Sequence, residues 1–504
     1  MSASRLIPTD FDAIPSHSAS HTVRVQVSHT LPDDCDVVGF AVAPGGAVPE
    51  AILIGRESLT RAGFVGTAGE TLLLAQPTGP VFMVFGVGDA ATQTSHSLRD
   101  AVATFALATK MYPQIAVDLG EAFSALDDHD IGQTVTEAAL LARYRFTELQ
   151  RTPKSIPLRS LTIRASKDRT AAVTLGASRG EITARATNLA RDLANNPPGH
   201  LTATRMGEVA VSLGADAGLA VEVFDKRQLI ELGCGGLLGV NAGSAEEPRM
   251  IKLTYSPPRP TSRIALVGKG IMYDSGGISL KPSDPMHLIM KMDMAGAAAV
   301  LGVMTSLNAL ECTSEVTAYL MCTDNMPSGT AIGLGDVLTI RGGTTVEVKN
   351  TDAEGRLVMA DALVLATEWK PDAIIDIATL TGSALQALGT RVAAVFGNQQ
   401  DLVEQAKNAS ETTDEPIWQL PLEHRYREQL NSTLADISNM GGPFNVAITA
   451  ALFLNEFVAD YPWVHFDIAG TMHAKKDEVW RPEGATGFGT RLLLDLVLNF
   501  QKVR

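Results

Sequence analysis

Short apolar segments that favour strands alternate with helical patterns along most of this chain, and this alternation constrains the fold more than any other feature. Residues 21–165 contain two predicted helices, at 97–111 and 133–144. The strands predicted around them from β-branched and apolar composition are 22–27, 37–42, 71–75, 81–86, 114–117 and 158–164. Such alternation predicts an α/β domain in which helices cover a sheet.

The same alternation resumes after residue 200. Helices are predicted at 206–213, 226–232 and 295–307, and strands at 220–224, 250–255, 263–267, 315–321, 373–377 and 463–468. Because several of these strands are apolar throughout, we expect a mixed, mostly parallel central sheet with helices on both faces.

A long amphipathic helix and two prolines mark the passage between the two α/β regions. The helix is predicted at 180–195 and ends at Pro197 and Pro198, since proline cannot continue a helix. We therefore predict a smaller N-terminal α/β domain at residues 1–170, without catalytic residues and serving assembly or regulation. A larger catalytic α/β domain is predicted at 171–504, with 171–198 as a linking helix.

Composition excludes several classes of protein. The net charge of -15 disfavours a nucleic-acid-binding surface, and the four cysteines show no spacing typical of a zinc framework or a disulfide scaffold. No segment resembles a signal peptide or approaches the roughly 20 apolar residues needed to cross a bilayer. We expect a cytoplasmic protein with no membrane partner.

The segment at 350–357, Asn-Thr-Asp-Ala-Glu-Gly-Arg-Leu, is the first candidate site. Asp352 and Glu354 are two residues apart, so on an extended chain their side chains would point the same way, with Arg356 two residues further on. This pattern indicates a metal or phosphate site. An acidic turn before a helix, with Glu354 near the positive end of the helix dipole, explains the segment equally well when it is taken alone.

A second candidate site follows the predicted strand 263–267. That strand runs into a glycine-rich segment that carries Lys269, Asp274 and Lys281, and Asp293 follows at the start of an alanine-rich helix. Ligands of open α/β sheets bind beyond the carboxyl ends of strands. The structural alternative is that Asp293 caps a helix and that the lysines are solvated.

Taken together, the two segments resemble the leucyl aminopeptidase (cytosol aminopeptidase) family of two-metal exopeptidases. The resemblance rests on an apolar strand followed by Gly-Lys-Gly, Asp-Ser-Gly-Gly, a lysine, Lys-x-Asp and the octapeptide. Further matching segments lie at 188–198, 376–382, 465–471 and 484–491. The resemblance is dense over about 185–495 and weak before it. It implies a metal-dependent aminopeptidase that acts on peptides with a free N-terminus, with broad specificity and a preference for leucine.

The grouped carboxylates require cations on physical grounds alone. Asp274, Asp293, Asp352 and Glu354 could not lie together in ionised form without positive charge, and two divalent ions would balance them. The resemblance implies two divalent metal ions per subunit, Mn²⁺ or Zn²⁺ with Mg²⁺ or Co²⁺ as further candidates. It implies that Lys269 is the fifth ligand and that Asp274 and Glu354 bridge the ions.

The resemblance also implies the remaining site residues and the assembly. Lys281 would polarise the scissile carbonyl, and Arg356 would bind a bicarbonate ion that relays a proton. The implied substrate-binding residues are Met290, Asn350, Thr379, Leu380 and Ala469. A homohexamer, built as a dimer of trimers, is implied as well.

Two alternatives belong to other classes. Some relatives act as DNA-binding accessory or regulatory proteins, but the negative net charge and the absence of a basic run in residues 1–165 argue against nucleic acid as a partner. A phosphoesterase would use similar two-metal chemistry, but no phosphate-cradling loop is present and one lysine would be occupied as a ligand.

One departure from the family pattern lies between Asp274 and Asp293, where the chain has one residue more than the usual spacing, within 283–289. We expect a bulged loop with metal binding retained, and an exposed His287 that is not a ligand. The extra residue puts the pocket role of Met290 in question.

Overall fold

The computed structural model describes residues 11–18 and 22–503, which divide into two compact units. The N-terminal unit comprises the described part of Ile14–Asn188 together with Lys475–Glu483, and the C-terminal unit comprises Leu189–Ala474 with residues 11–13 and 484–503. The boundary predicted at residue 170 coincides with the start of the helix Thr170–Asn195. The change of unit falls inside this helix.

The N-terminal unit contains a mostly parallel sheet. Its strands are β1 (Arg24–Ser28), β2 (Val37–Val42), β3 (Thr71–Leu74), β4 (Val81–Gly86), β5 (Gln114–Asp118) and β6 (Ser160–Arg164). Its helices are α1 (Arg56–Arg61), α2 (Ser95–Ala108), α3 (Asp128–Ala142) and the first part of α4 (Thr170–Asn195). The order in the sheet is β1-β6-β5-β2-β4-β3, and β3 pairs antiparallel with β4. Every residue of β2 is buried, as expected of a parallel strand that is covered on both faces.

The C-terminal unit is built on a larger mixed sheet in the order β15-β14-β17-β13-β9-β10-β8-β7. The strands of this unit are β7 (Ala220–Phe224), β8 (Arg249–Tyr255), β9 (Arg263–Asp274), β10 (Glu315–Asn325), β11 (Val337–Thr339), β12 (Thr345–Glu347), β13 (Ala373–Ala378), β14 (Ala393–Gly397), β15 (Ile417–Gln419), β16 (Ile437–Ser438), β17 (Trp463–Asp467), β18 (His473–Ala474) and β19 (Gly484–Ala485). Its helices are α5 (Ala203–Ala217), α6 (Lys226–Leu232), α7 (Gly235–Asn241), α8 (Pro285–Leu288), α9 (Ala295–Met304), α10 (Gly355–Glu368), α11 (Gly382–Leu388), α12 (Gln400–Thr413), α13 (Val446–Asn455) and α14 (Thr490–Leu498).

Strands β17, β13, β9 and β10 are parallel neighbours and form the centre of this sheet. The predicted fold class, two α/β domains with a mixed, mostly parallel sheet between helices in the larger one, is confirmed. Among the described residues, none of the helices has the length and apolar character that crossing a membrane requires.

The prediction that the central strand ends at Val267 is wrong, because β9 continues to Asp274. Its second half pairs with β10, and Lys269 lies opposite Met321. Gly268 is needed for packing, since a Cβ there would lie 2.7 Å from the Cα atom of Ala297 in α9. The Gly-Lys-Gly sequence therefore belongs to a buried strand and not to a ligand-binding loop.

Candidate metal centre

Three segments of the C-terminal unit bring the predicted site residues together. β9 carries Lys269 and ends at Asp274, and Asp293 lies two residues before α9. Asp352 and Glu354 lie in the turn before α10. Side-chain oxygens of Asp274, Asp352 and Glu354 all lie within 4.8 Å of one another. These carboxylates therefore form one cluster at the end of the central strand.

The local geometry that orients Asp352 and Glu354 differs from the extended chain that we predicted. Glu354 has helical backbone angles, with φ -73 and ψ -36, at the N-terminus of α10. The side-chain oxygen of Asn350 accepts a hydrogen bond from the backbone N–H of Asp352 at 2.8 Å, which closes a turn. A turn followed by a helix, and not the alternation of a strand, brings the two carboxylates together.

The Thr351 hydroxyl group helps to bind the octapeptide to the loop after β9. The Thr351 hydroxyl donates to the backbone oxygen of Gly276 at 2.6 Å and accepts from the backbone N–H of Ser279 at 2.8 Å. The Asn325 amide donates to Asp274 Oδ1 and to the backbone oxygen of Thr351, at 2.9 and 3.0 Å. These bonds fix the two halves of the site against each other.

Lys269 is fully enclosed by acceptors. Its ammonium group lies 2.9 Å from Asp293 Oδ1, 2.8 Å from Glu354 Oε1 and 2.7 Å from the backbone oxygen of Thr379. The Thr379 hydroxyl donates to Asp293 Oδ1 at 2.7 Å. Lys269 therefore links two of the clustered carboxylates, those of Asp293 and Glu354, in the buried part of the site.

Lys281 lies on the more open side of the same cluster. Its ammonium group is 2.8 Å from Asp274 Oδ2 and 2.6 Å from Asp352 Oδ1. Its side chain is 19% exposed, against 3% for Lys269. Of the two lysines, Lys281 is the one that a molecule entering from solvent can reach.

The protein groups alone leave the cluster short of positive charge. Burial raises the pKa of Asp274 and of Asp293, and it raises the pKa of Asp352 to about 7. Burial opposes ionisation of Glu354 too, but Lys269 and Lys281 lower its pKa below the usual value. Four carboxylates therefore share two ammonium groups.

Divalent cations fit this donor set. Glu354 is buried, and its Oε2 atom has no hydrogen-bond partner among the described residues. A buried, unpartnered carboxylate oxygen is costly unless a cation binds it. Oxygen-rich sites of this kind suit Mn²⁺, Mg²⁺ and Zn²⁺. The carboxylates of Asp274, Asp352 and Glu354 and the neighbouring Asp293 could hold such ions.

Lys269 could act as a metal ligand only with its amine in the neutral form. Burial favours its neutral form, but Asp293, Glu354 and Asp274 together raise its pKa above the usual value when only protein groups are present. Dications bound to the same carboxylates would reverse this balance and favour the neutral amine.

Arg356 is buried in the first turn of α10. It donates through Nη1 to the backbone oxygen of Asn439 at 2.8 Å, and its Nε has no partner among the described residues. Burial lowers its pKa to about 10, so the guanidinium keeps its charge at neutral pH. Arg356 therefore has a buried donor available for an anion.

The predicted pocket residues lie in different surroundings. Thr379 touches Asp293 directly, whereas the backbone N–H groups of Leu380 and Ala469 both donate to Asp467 Oδ1, at 3.1 and 3.2 Å. Asn350 is half-buried within the octapeptide turn, and Met290 is buried three residues before Asp293. Asp467 thus joins the segments that carry Leu380 and Ala469.

The loop with the extra residue forms the short helix α8. Asp284 caps it by accepting hydrogen bonds from the backbone N–H groups of Met286 and His287, both at 2.9 Å. The prediction of an exposed His287 is wrong, because its ring is half-buried and stacks on Tyr273 with ring centroids 5.8 Å apart. The stacking places this loop against the end of β9.

Sequence reasoning missed the residues that orient the site residues. Asn325 fixes Asp274, Asn439 supports Arg356, and Asp467 holds Leu380 and Ala469. No short spacing in the sequence connects these residues with their partners. Asp467 alone carried a signal, since it lies in the segment 465–471 that matched the family.

The two α/β units and the buried cluster of carboxylates and lysines define a metal-dependent hydrolase. The model of the cytosol aminopeptidase family catalytic domain matches residues 188–494, and the model of that family's N-terminal domain matches residues 54–153. The chain belongs to the cytosol aminopeptidase family.

Named relatives support this assignment over most of the chain. A probable cytosol aminopeptidase of Roseiflexus castenholzii is 41% identical over 450 residues, which cover 86% of this chain and 91% of the relative. One of Streptomyces griseus is 38% identical over 507 residues, covering 94% and 97%. The solved structure described as bottromycin maturation enzyme BotP in complex with Mn has a TM-score of 0.84 and 37% identity, covering 92% of this chain and 99% of that chain. The predicted metal-dependent aminopeptidase activity is confirmed, and the DNA-binding alternative gains no support.

Proposed function

We propose that this aminopeptidase releases N-terminal residues, leucine preferred within a broad range, by means of two divalent ions held in the described cluster. The observation that carries the proposal is that side-chain oxygens of Asp274, Asp352 and Glu354 lie within 4.8 Å of one another, while the buried Glu354 Oε2 has no hydrogen-bond partner among the described residues. One ion is assigned to Asp274, Glu354 and both the side chain and the backbone oxygen of Asp352. The other is assigned to Lys269, Asp274, Asp293 and Glu354.

The structural neighbour described in complex with Mn supports Mn²⁺ as one of the ions, and Zn²⁺, Mg²⁺ and Co²⁺ are the competing candidates. When bound, such ions acidify a water molecule and polarise a carbonyl group. Metal analysis, followed by chelation and separate addition of each of the four ions, tests this part. Absence of activity with every ion would contradict it.

Lys281 is proposed to stabilise the oxyanion that forms at the scissile carbonyl. Burial works against its charge, but Asp274, Glu354 and Asp352 together raise its pKa above the usual value, so it stays protonated at neutral pH. Its partial exposure lets the ammonium group turn from Asp352 towards a substrate. Preorganised donors of this kind lower the barrier to acyl transfer.

Arg356 is proposed to hold a bicarbonate ion, which would supply a base for the proton of the attacking water. A guanidinium cannot serve as a base itself. The buried Nε without a partner and the retained positive charge support an anion at this place.

The free amine of the peptide is proposed to lie at Asp293, which explains why an unblocked N-terminus is needed. The residues proposed to line the pocket are Met290, Asn350, Thr379, Leu380 and Ala469. A homohexamer, built as a dimer of trimers, and a cytoplasmic location complete the proposal. The relatives' name of cytosol aminopeptidase supports the location, and the family resemblance supports the hexamer, which light scattering of the purified protein tests.

Substitution of two site residues tests the mechanism. Lys281→Ala and Glu354→Ala are each expected to lower kcat/KM on leucinamide by at least about a hundredfold, the loss typical of a missing oxyanion donor. Lys476→Ala, at an exposed lysine, is the control. Near-normal turnover by both site variants would overturn the proposal.

A further inference from the structure

An exposed aromatic side chain lies on the loop 440–445 between β16 and α13. The side chain of Phe444 is 81% exposed, although phenylalanine is a residue type that usually packs in a core.

The first end of the loop is attached to the metal centre. Asn439, which directly precedes the loop, donates from its amide to the backbone oxygen of Asn350 at 2.7 Å. Its backbone oxygen accepts from Arg356 at 2.8 Å, and its side-chain oxygen accepts from the backbone N–H of Lys349 at 2.8 Å. The loop therefore starts beside the octapeptide.

The second end is attached to the segment that follows β13. The backbone N–H of Ala447 donates to the Ser383 hydroxyl at 2.8 Å. Ser383 lies in the first turn of α11, three residues after the proposed pocket residue Leu380. The loop thus connects two of the segments that carry proposed pocket residues, one with Asn350 and the other with Thr379 and Leu380.

The course of the loop between these ends is constrained. The backbone N–H of Gly442 donates to Gln429 Oε1 at 3.2 Å. Asn445 adopts the left-handed conformation, with φ 53, immediately before α13. Because Gly442 and Asn445 are both held, the short stretch that carries Phe444 is constrained on either side.

We propose that Phe444 is a specificity-determining residue that binds the second residue of the peptide, the residue on the leaving side of the scissile bond, when its side chain is aromatic or large and apolar. This inference rests on the proposed function, which places the substrate amine at Asp293. The peptide must then continue away from Asp293, and the loop held by Asn350 and Arg356 borders that course. An aromatic ring offers such a side chain apolar area and a stacking surface.

The test compares two substrates that differ only in their second residue. The ratio of kcat/KM for leucyl-phenylalanine amide to kcat/KM for leucyl-glycine amide is measured for the wild type and for Phe444→Ala. We expect this ratio to fall roughly three- to tenfold in the variant, mainly through KM, as expected when an aromatic contact is removed. Phe444→Leu should keep most of the ratio. Trp418→Ala, at an exposed aromatic residue on β15, should keep all of it.

Each outcome decides between readings. An unchanged ratio in Phe444→Ala overturns the inference. A changed native mass by light scattering with an unchanged ratio also overturns it and assigns the side chain to an interface between copies of the chain. If the wild type hydrolyses leucinamide but shows no dependence on the second residue, this inference fails and the proposed function stands. If the wild type hydrolyses neither leucinamide nor either dipeptide amide with any of the four metal ions, the proposed function fails.

Discussion

The two lysines of the metal centre show how surroundings separate the roles of identical residues. Lys269 is enclosed between Asp293, Glu354 and a backbone oxygen, whereas Lys281 is partly exposed beside Asp274 and Asp352. The first can act only on groups within the cluster, and the second can reach a substrate. Arginine would not fit at either Lys269 or Lys281, because a guanidinium is larger than an ammonium group and keeps its charge.

Gly355 explains why the octapeptide has glycine directly after Glu354. A Cβ atom at this position would lie 2.6 Å from Cε and 2.7 Å from Nζ of Lys269. Gly355→Ala is therefore expected to displace Lys269 and lower the metal content, even though alanine favours a helix by about 1 kcal/mol over glycine.

Metal analysis of the purified Gly355→Ala variant checks this expectation. Gly382→Ala is the matched control, since Gly382 is likewise the first residue of a helix and a Cβ there meets no atom within 4 Å. Equal metal content in the two variants would show that Lys269 needs no glycine beside it.

At the scale of elements, a buried ion pair joins two central strands. Asp376 of β13 lies opposite His465 of β17, and their side chains approach to 2.5 Å. Trp463 donates to the other Asp376 oxygen at 2.6 Å, and its ring stacks on His465. All three side chains are almost completely buried. The pair therefore fixes the register of β13, which Thr379 follows directly, and β17, which ends at Asp467.

Asp376→Asn is expected to lower the free energy of unfolding by about 3 kcal/mol near pH 6, because it leaves a buried imidazolium without its counter-charge. Burial acts against the charged ring, but Asp376 raises the pKa of His465 above its usual value. Because the folded-state pKa of His465 is raised, its interaction with Asp376 stabilises the fold fully when the pH is below the unfolded-state pKa of about 6.5. This stabilisation is lost as the pH rises through the folded-state pKa. The cost of the substitution should therefore shrink with rising pH.

Denaturant unfolding followed by tryptophan fluorescence at pH 6 and at pH 9 measures this difference. Glu231→Gln, which breaks the exposed pair of Arg227 and Glu231, serves as control and should cost little at either pH. A cost for Asp376→Asn that grows with pH would show that His465 is neutral in the folded protein.

In the N-terminal unit, α3 and α4 approach each other through glycines. A Cβ at Gly176 would overlap the carbonyl oxygen of His129, and one at Gly132 would overlap that of Val173. Gly176→Ala should therefore lower the thermal midpoint of this unit and reduce its free energy of unfolding by about 2 kcal/mol. This loss is expected even though alanine favours a helix more than glycine does. Ser178→Ala, at an exposed position of α4, is the control for propensity. A higher midpoint for Gly176→Ala in calorimetry would contradict the close packing.

Local pattern was sufficient for elements whose own residues decide their conformation. The predicted strands 37–42 and 81–86 and helix 226–232 have the observed bounds, because uniform apolar composition or helix caps mark their ends. β9 was predicted too short because glycine and lysine disfavour a strand, and pairing of its second half with β10 overrides that preference. The short strands β11, β12 and β15 were missed, since three residues carry too little periodicity.

The sequence likewise predicted only part of the candidate site. Its carboxylates and lysines lie in two short motifs, so their types and spacing indicated metal chemistry. Asn325 and Asn439 could not be found in this way, because their partners are distant in sequence and an asparagine has many structural uses.

At the scale of the whole molecule, the described residues of each unit form hydrophobic core clusters of their own, and the residues of the metal centre all belong to the C-terminal unit. A ligand that binds only the folded form of one unit stabilises that unit by about 2.7 kcal/mol when its concentration is a hundred times the Kd. Metal binding should therefore stabilise the C-terminal unit more than the N-terminal unit.

Hydrogen exchange of the chelated and metal-loaded protein measures this unevenness. We expect slower exchange after metal addition in β9, α9 and α10, whose residues adjoin the cluster, and unchanged exchange in β2 and β4 of the N-terminal unit. Glu354→Ala, which removes the buried oxygen without a partner, should abolish most of the metal-induced slowing. Equal slowing in β2 and β9 would show that the two units open together, and equal slowing in the variant would place the ions outside the cluster.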